Sequence, residues 1–210
     1  MNQSPPSLRP RKKPVQSRSV ETYACILEAA AQLIERHGFD AFNTNLVAER
    51  AGVSIGSLYQ YFPGKDALVI ALMRREKERF GKDAAAALAA PDGRAALAHL
   101  AGAAVRHQFD RPELARLLDA EEARPEAERE VEHVSHFREL LRATLDRPDL
   151  PSQPDPEIAA DDLGALVQLL VDAAGARGDS TSTERLERRV LGAILGYLGM
   201  SLEGVARAEM

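Results

Sequence analysis

Between Asn43 and Phe62 the chain reads NTNLVAERAGVSIGSLYQYF, two helical segments hinged on a single glycine. Isolated helices shorter than about 12–15 residues are marginal in water. A pair this short is therefore held by the rest of a small helical domain, with its polar groups presented to a partner. Asn43 or Thr44 supplies a side-chain oxygen for the orphan amides of the first segment. Val47, Ala48 and Ala51 form a narrow stripe of small apolar groups that lets a second helix cross closely. Gly52 stands where the chain reverses, a position that commonly needs positive φ. Ser54 caps the second segment, which runs to Tyr61 or Phe62 before Pro63-Gly64 ends it.

At about 100° per residue, Leu58 and Phe62 share one face of that second helix, with Ile55 at its edge. The opposite face carries Gly56, Ser57 and Gln60, flanked by Tyr59 and Tyr61. In a DNA major groove, side-chain amides and hydroxyls read base edges while phosphate contacts set the register. Gly56 lets the backbone approach, and Gln60 and Ser57 reach base edges. The two phenols face the phosphate walls, and Lys65 pins a further phosphate. The plain alternative is a surface hairpin whose tyrosines cover a core. It leaves the polar face, the following lysine and a basic N-terminal arm unexplained, so duplex DNA is the expected partner.

Ala51-Gly52-Val53-Ser54, Gly56, Leu58-Tyr59, Tyr61-Phe62 and Lys65 together resemble the DNA-binding domain of the TetR family of transcriptional regulators. The resemblance covers roughly residues 17–68. It implies a dimer that reads a palindromic operator and is released by a small molecule. Carried over by motif position, it implies base-edge roles for Asn45, Ile55, Gly56, Ser57 and Gln60, and phosphate roles for Thr44, Tyr59, Tyr61 and Lys65. Ser54 joins this DNA-binding set at the head of the reader helix. Leu46 and Asn43 depart from the family's usual residues, which bears on the operator sequence rather than on DNA binding.

The net charge of −5 runs against such a role until it is divided along the chain. Residues 1–20 hold Arg9, Arg11, Lys12, Lys13 and Arg18 and no acid, five positive charges and hence a local +5. A locally basic face on an acidic body still binds phosphates by counterion release. Pro5, Pro6, Pro10 and Pro14 among those charges predict a disordered arm over residues 1–16. It either stays solvated or follows the DNA backbone or minor groove. No apolar run approaches the ~18 residues of a membrane span, and no apolar segment follows the basic residues as a secretory signal requires. Cys25, the lone cysteine, cannot form an intramolecular disulfide and lies in an apolar helical stripe, where it is expected as a small core residue. These features predict a cytoplasmic protein.

The expected fold is all-α: a three-helix helix-turn-helix domain over residues 17–64, motif about 43–62, then a helical ligand-binding and dimerisation domain over 65–210. The first helix runs from Ser17 or Ser19 to His37, with Ala24, Leu27, Ala30, Ala31 and Ile34 inward. Phe39 and Phe42 close the small core. A lever helix follows over 65–90, with Leu68, Leu72, Met73, Phe80 and Leu88 inward and the charged run Arg74–Arg79 solvated. Pro91-Asp92-Gly93, Pro112, Pro125 and the run 148–156 punctuate helices near 94–109, 113–123, 126–146, 157–177 and 183–207. Period-2 alternation is absent, so no sheet is expected.

A capping box, Thr181-Ser182-Thr183-Glu184, opens the last helix. That helix carries two stripes, Leu186-Val190-Ile194-Tyr197-Ser201-Val205 and Leu191-Leu195-Leu198-Leu202. Gly192, Gly196 and Gly199 are expected to permit close helix crossings. An arc this wide is covered on more than one side. The 157–177 helix is similarly apolar through Leu163, Leu166, Val167, Leu169, Leu170 and Val171. These two helices from each protomer are expected to form a homodimer interface, the alternative being that both complete a monomer core.

The middle helices are expected to enclose a small-molecule effector, with Met73, Leu100, His107, Phe109, Leu117, Phe137 and Leu141 as candidate lining residues, each also readable as plain core. His133 and His136, three apart beside Glu130 and Glu132, have a spacing that can ligate a metal. Their acidic neighbours mark a wet surface, and no metal or cofactor is assigned. Catalysis requires a nucleophile, base and orienter or a defined metal set in one cleft. No such set is visible, so no catalytic residue is expected. The remaining alternative is a helical ligand-binding dimer that no longer reads DNA.

Overall fold

The computed structural model describes residues 17–122, 136–177 and 183–201. The basic arm, the start of the 126–146 helix with His133, the Thr181-Ser182 half of the capping box, and Leu202 and Val205 lie outside them. The fold is all-α. The helices are α1 (Ser17–His37), α2 (Thr44–Ala51), α3 (Ile55–Tyr61), α4 (Lys65–Ala85), α5 (Gly93–Asp110), α6 (Pro112–Glu122), α7 (His136–Leu145), α8 (Pro156–Ala176) and α9 (Thr183–Tyr197). They form two compact units. One takes the described residues of Met1–Glu78 and Glu113–His133, the other those of Arg79–Pro112 and Val134–Met210. The helix α4 thus contributes residues to both.

The first unit closes on Ile26, Leu27, Ala30 and Ile34 of α1, Val47 and Ala48 of α2, Leu58 and Phe62 around α3, and Leu68, Leu72 and Met73 of α4. Leu114 and Leu118 of α6 join the same core. The inward arc of α1 differs from the expected one: Ala24 and Cys25 are exposed. Tyr23 takes the inward role because its ring packs on Phe62, 4.9 Å between centroids. A large ring gains more by burial than an alanine or a thiol, and so sets the rotation of the helix.

In the second unit, α9 packs on α5 and α8, while α7 packs on α8 and α5. Both apolar stripes of α9 are largely used within the unit: Leu186, Val190, Leu191, Ile194, Leu195 and Leu198 are buried. On α8, Leu163, Val167 and Val171 face inward, but Ile158 and Leu169 are 57% and 67% exposed. Three expectations are corrected here. The lever helix ends at Ala85 and continues as a 3₁₀ turn, Ala86–Ala89. The tighter turn points Ala87 inward and leaves Leu88 exposed. The last helix stops at Tyr197, because Gly199 is left-handed (φ +69°) and the Met200 amide donates back to the Leu195 carbonyl at 2.8 Å. Gly199 therefore ends a helix instead of admitting a neighbour, and a Cβ at Gly196 would meet nothing within 4 Å.

Candidate nucleic-acid interface

The helical pair is built as its sequence requires. Asn43 is extended (φ −147°, ψ 160°), and its side chain accepts the Leu46 amide at 3.0 Å, capping α2. At the other end Gly52 adopts φ 67°, and the Val53 amide donates to the Ala48 carbonyl at 3.0 Å. Side chains with a Cβ resist that conformation, so the hinge belongs to glycine. Ser54 then accepts the Ser57 amide on its Oγ at 3.0 Å and starts α3. Leu58 and Phe62, both fully buried, anchor α3 to the domain core.

With that face anchored, Ile55, Gly56, Tyr59 and Gln60 are exposed and Ser57 is half-buried. Thr44 Oγ1 and Tyr59 OH share a hydrogen bond of 3.2 Å, which ties the first residue of α2 to the outer face of α3. Asn45 and Leu46 are exposed beside it at the start of α2. Of the expected DNA-binding set, Asn45, Ser54, Ile55, Gly56, Tyr59 and Gln60 are thus exposed, and Thr44 and Ser57 are half-buried. Gly56 is informative within it. A Cβ there would meet only Ser54 Oγ, at 3.8 Å, an ordinary contact. Nothing among the described residues requires glycine at this helical position.

Two of the expected phosphate ligands have further duties. Tyr61 is half-buried, its ring set edge-on to Tyr23 at 6.2 Å. Lys65 donates from Nζ to the Phe39 carbonyl at 2.7 Å and sits 5.7 Å over the Phe42 ring. That contact fastens the start of α4 to the loop between α1 and α2. Burial pushes the Tyr23 phenol above its ordinary pKa, and the Glu78 charge adds to this, with Arg74 opposing. Sequence reasoning missed three tertiary bonds, Thr44 to Tyr59, Lys65 to Phe39, and Arg50 to Gln32 Oε1 through Nε at 2.8 Å and Nη2 at 2.6 Å. Their partners lie 15, 26 and 18 residues apart, beyond any local pattern.

The expected effector residues divide between the units. Met73 is buried in the first unit's core, and Leu117 packs against that core. In the second unit Leu100 and Leu141 are fully buried, and Phe109 packs against them from a half-buried position. His107 and Phe137 meet across Phe80, whose ring centroid lies 4.9 Å from the first and 5.3 Å from the second. Helices α4 and α5 also carry a polar set. His99 Nε2 lies 2.8 Å from the Asp83 carbonyl oxygen, and the Arg106 guanidinium pairs with the Asp83 carboxylate at 3.0 Å.

Residues 26–72 match the family described as bacterial regulatory proteins, tetR family. The chain is 44% identical over 54 residues to the HTH-type transcriptional repressor KstR of Rhodococcus jostii (strain RHA1). That alignment covers 26% of this chain and 26% of the relative, so the chain spans about a quarter of that repressor's length. Solved structures extend the likeness across both units. The fatty acid degradation regulator FadR from Bacillus halodurans has a TM-score of 0.74 at 21% identity, over 88% of this chain and 97% of that one. The FadR regulator from Bacillus subtilis in complex with stearoyl-CoA has a TM-score of 0.72 at 17% identity, over 83% and 98%. At these identities the structural likeness is one of fold.

Proposed function

We propose that this chain, whose residues 26–72 match the tetR family of bacterial regulatory proteins, is a DNA-binding transcriptional repressor, released from its operator by a small-molecule effector. The observation that carries the reading is the Thr44–Tyr59 bond. It holds α2 and α3 together while Asn45, Gly56 and Gln60 stay exposed for a partner. Asn45, Ile55, Gly56, Ser57 and Gln60 meet base edges. Thr44, Tyr59 and Lys65 meet phosphates, with Tyr61 supporting them, and Ser54 holds the helix start. A palindromic operator needs two such heads on half-sites one DNA turn apart, ~34–36 Å. The exposed Ile158 and Leu169 of α8, with α9 beside it, supply the homodimer surface.

The effector binds the second unit near the Phe80–His107–Phe137 row and acts through α4, whose residues belong to both units. It must favour the DNA-incompetent state by its own differential affinity, on the order of 1–3 kcal/mol of coupling. The stearoyl-CoA bound to the Bacillus subtilis regulator makes long-chain acyl thioesters the first class to titrate. No described helix is long and apolar enough to cross a membrane, and the reading places the chain in the cytoplasm. The test is selection of purified protein against randomised duplex DNA, followed by binding of the winners across salt concentrations. A palindromic consensus whose affinity falls steeply with salt supports the reading. Binding without a consensus, or no binding, defeats it.

A further inference from the structure

The reading surface is chemically one-sided. Residues 44–46 of α2 and 55–60 of α3 include no arginine or lysine. The two cations of the same segment are engaged within the protein, Arg50 with Gln32 Oε1 and Lys65 with the Phe39 carbonyl. Several polar groups are used internally too. Thr44 bonds Tyr59, and Ser57 Oγ lies 2.8 Å from Ser54 Oγ. Two exposed carboxamides are left, Asn45 and Gln60, with no side-chain hydrogen bond to another of the described residues. Beside them are two apolar side chains, Leu46 and Ile55, each 38% exposed.

These groups match one kind of base pair. Guanine is most often read by a bidentate arginine or lysine, which this surface lacks. A carboxamide presents a donor and an acceptor that fit adenine N6 and N7, and apolar side chains fit the thymine C5-methyl. Resting on the DNA-reading assignment above, we propose that the major-groove half-site is dominated by A·T pairs. Gln60 and Asn45 take adenines, and Ile55 and Leu46 take thymine methyls. Leu46, which departs from the family's usual residue, is on this account a specificity-determining residue.

The test uses the full chain and the duplex it selects. Each half-site is remade with single-atom-scale edits, thymine to deoxyuridine, which removes only the methyl, and adenine to 7-deazaadenine, which removes only the N7 acceptor. We expect a half-site of mainly A·T pairs. Each contacted methyl removed should weaken binding about threefold to fivefold, and loss of N7 opposite Gln60 roughly fivefold to tenfold. Ile55→Ala should abolish the first sensitivity at its position, and Gln60→Ala the second. Both side chains are exposed, so neither variant opens the core. A selected half-site with guanine at the position where Gln60→Ala relaxes preference would overturn the inference and leave the repressor reading standing. So would a duplex insensitive to both edits. Enrichment of no sequence at all would overturn both.

Discussion

Gly56→Ala separates what the protein needs at that position from what its partner needs. Gly56 is the second residue of α3 and exposed, and its added methyl would meet only Ser54 Oγ at 3.8 Å. The folded state therefore accepts the substitution without strain. Glycine costs about 0.5–1 kcal/mol relative to alanine in a helix, and a position in the first turn falls at the low end. A gain of about 0.5 kcal/mol in a chain of this size raises Tm by roughly 1–2 °C. On the proposed base-edge role of Gly56 the sign reverses on DNA, because the methyl adds bulk to the proposed contact. Overpacking a close contact costs about 1–3 kcal/mol, hence roughly a fivefold to hundredfold weaker operator complex. Thermal unfolding by circular dichroism and fluorescence anisotropy on a labelled operator read the two effects. A lowered Tm would refute the free space around Gly56. An unchanged operator affinity would refute the close approach.

Gly93→Ala should behave oppositely in the second unit: its Cβ would run into the Leu150 side chain, so a loss of about 1–3 kcal/mol is expected in denaturant titration. For Tyr23 the folded pKa lies above the ordinary 10.0, so the folded chain keeps the phenolic proton after the unfolded chain releases it. Its contribution is full below that value and is lost as pH rises through the raised one. Stability should fall as pH rises above about 10, and less steeply in Tyr23→Phe, which keeps the ring packing on Phe62. Leu169→Asp should convert the proposed homodimer to monomer in sedimentation velocity without unfolding the chain, since the side chain is 67% exposed. A variant that stays dimeric would remove the centre of α8 from the interface. Ser54→Ala should cost about 1 kcal/mol through loss of the α3 cap, read as a lowered denaturation midpoint.

Local chemistry determined the most of this protein from sequence alone. The Ser54 cap, the Gly52 hinge and the inward Leu58 and Phe62 depend on neighbours within a few residues and are where the pattern puts them, and the first cap, open between Asn43 and Thr44, is Asn43. The helical period likewise made the all-α fold legible. Small side chains did not fix rotation: nothing local says that Tyr23 turns inward and leaves Cys25 exposed, because that choice is made by the Phe62 ring from another helix. The stripes of α8 and α9 showed how much apolar surface had to be covered. Packing decided that most of it is covered within the unit, while Ile158 and Leu169 are not. The chemistry of the reading surface divides in the same way. Sequence placed Gln60, Asn45, Arg50 and Lys65 in one segment. Only the tertiary bonds of Arg50 to Gln32 and Lys65 to Phe39 decided which stay free for a base, because a long cation takes whatever acceptor the fold brings within reach.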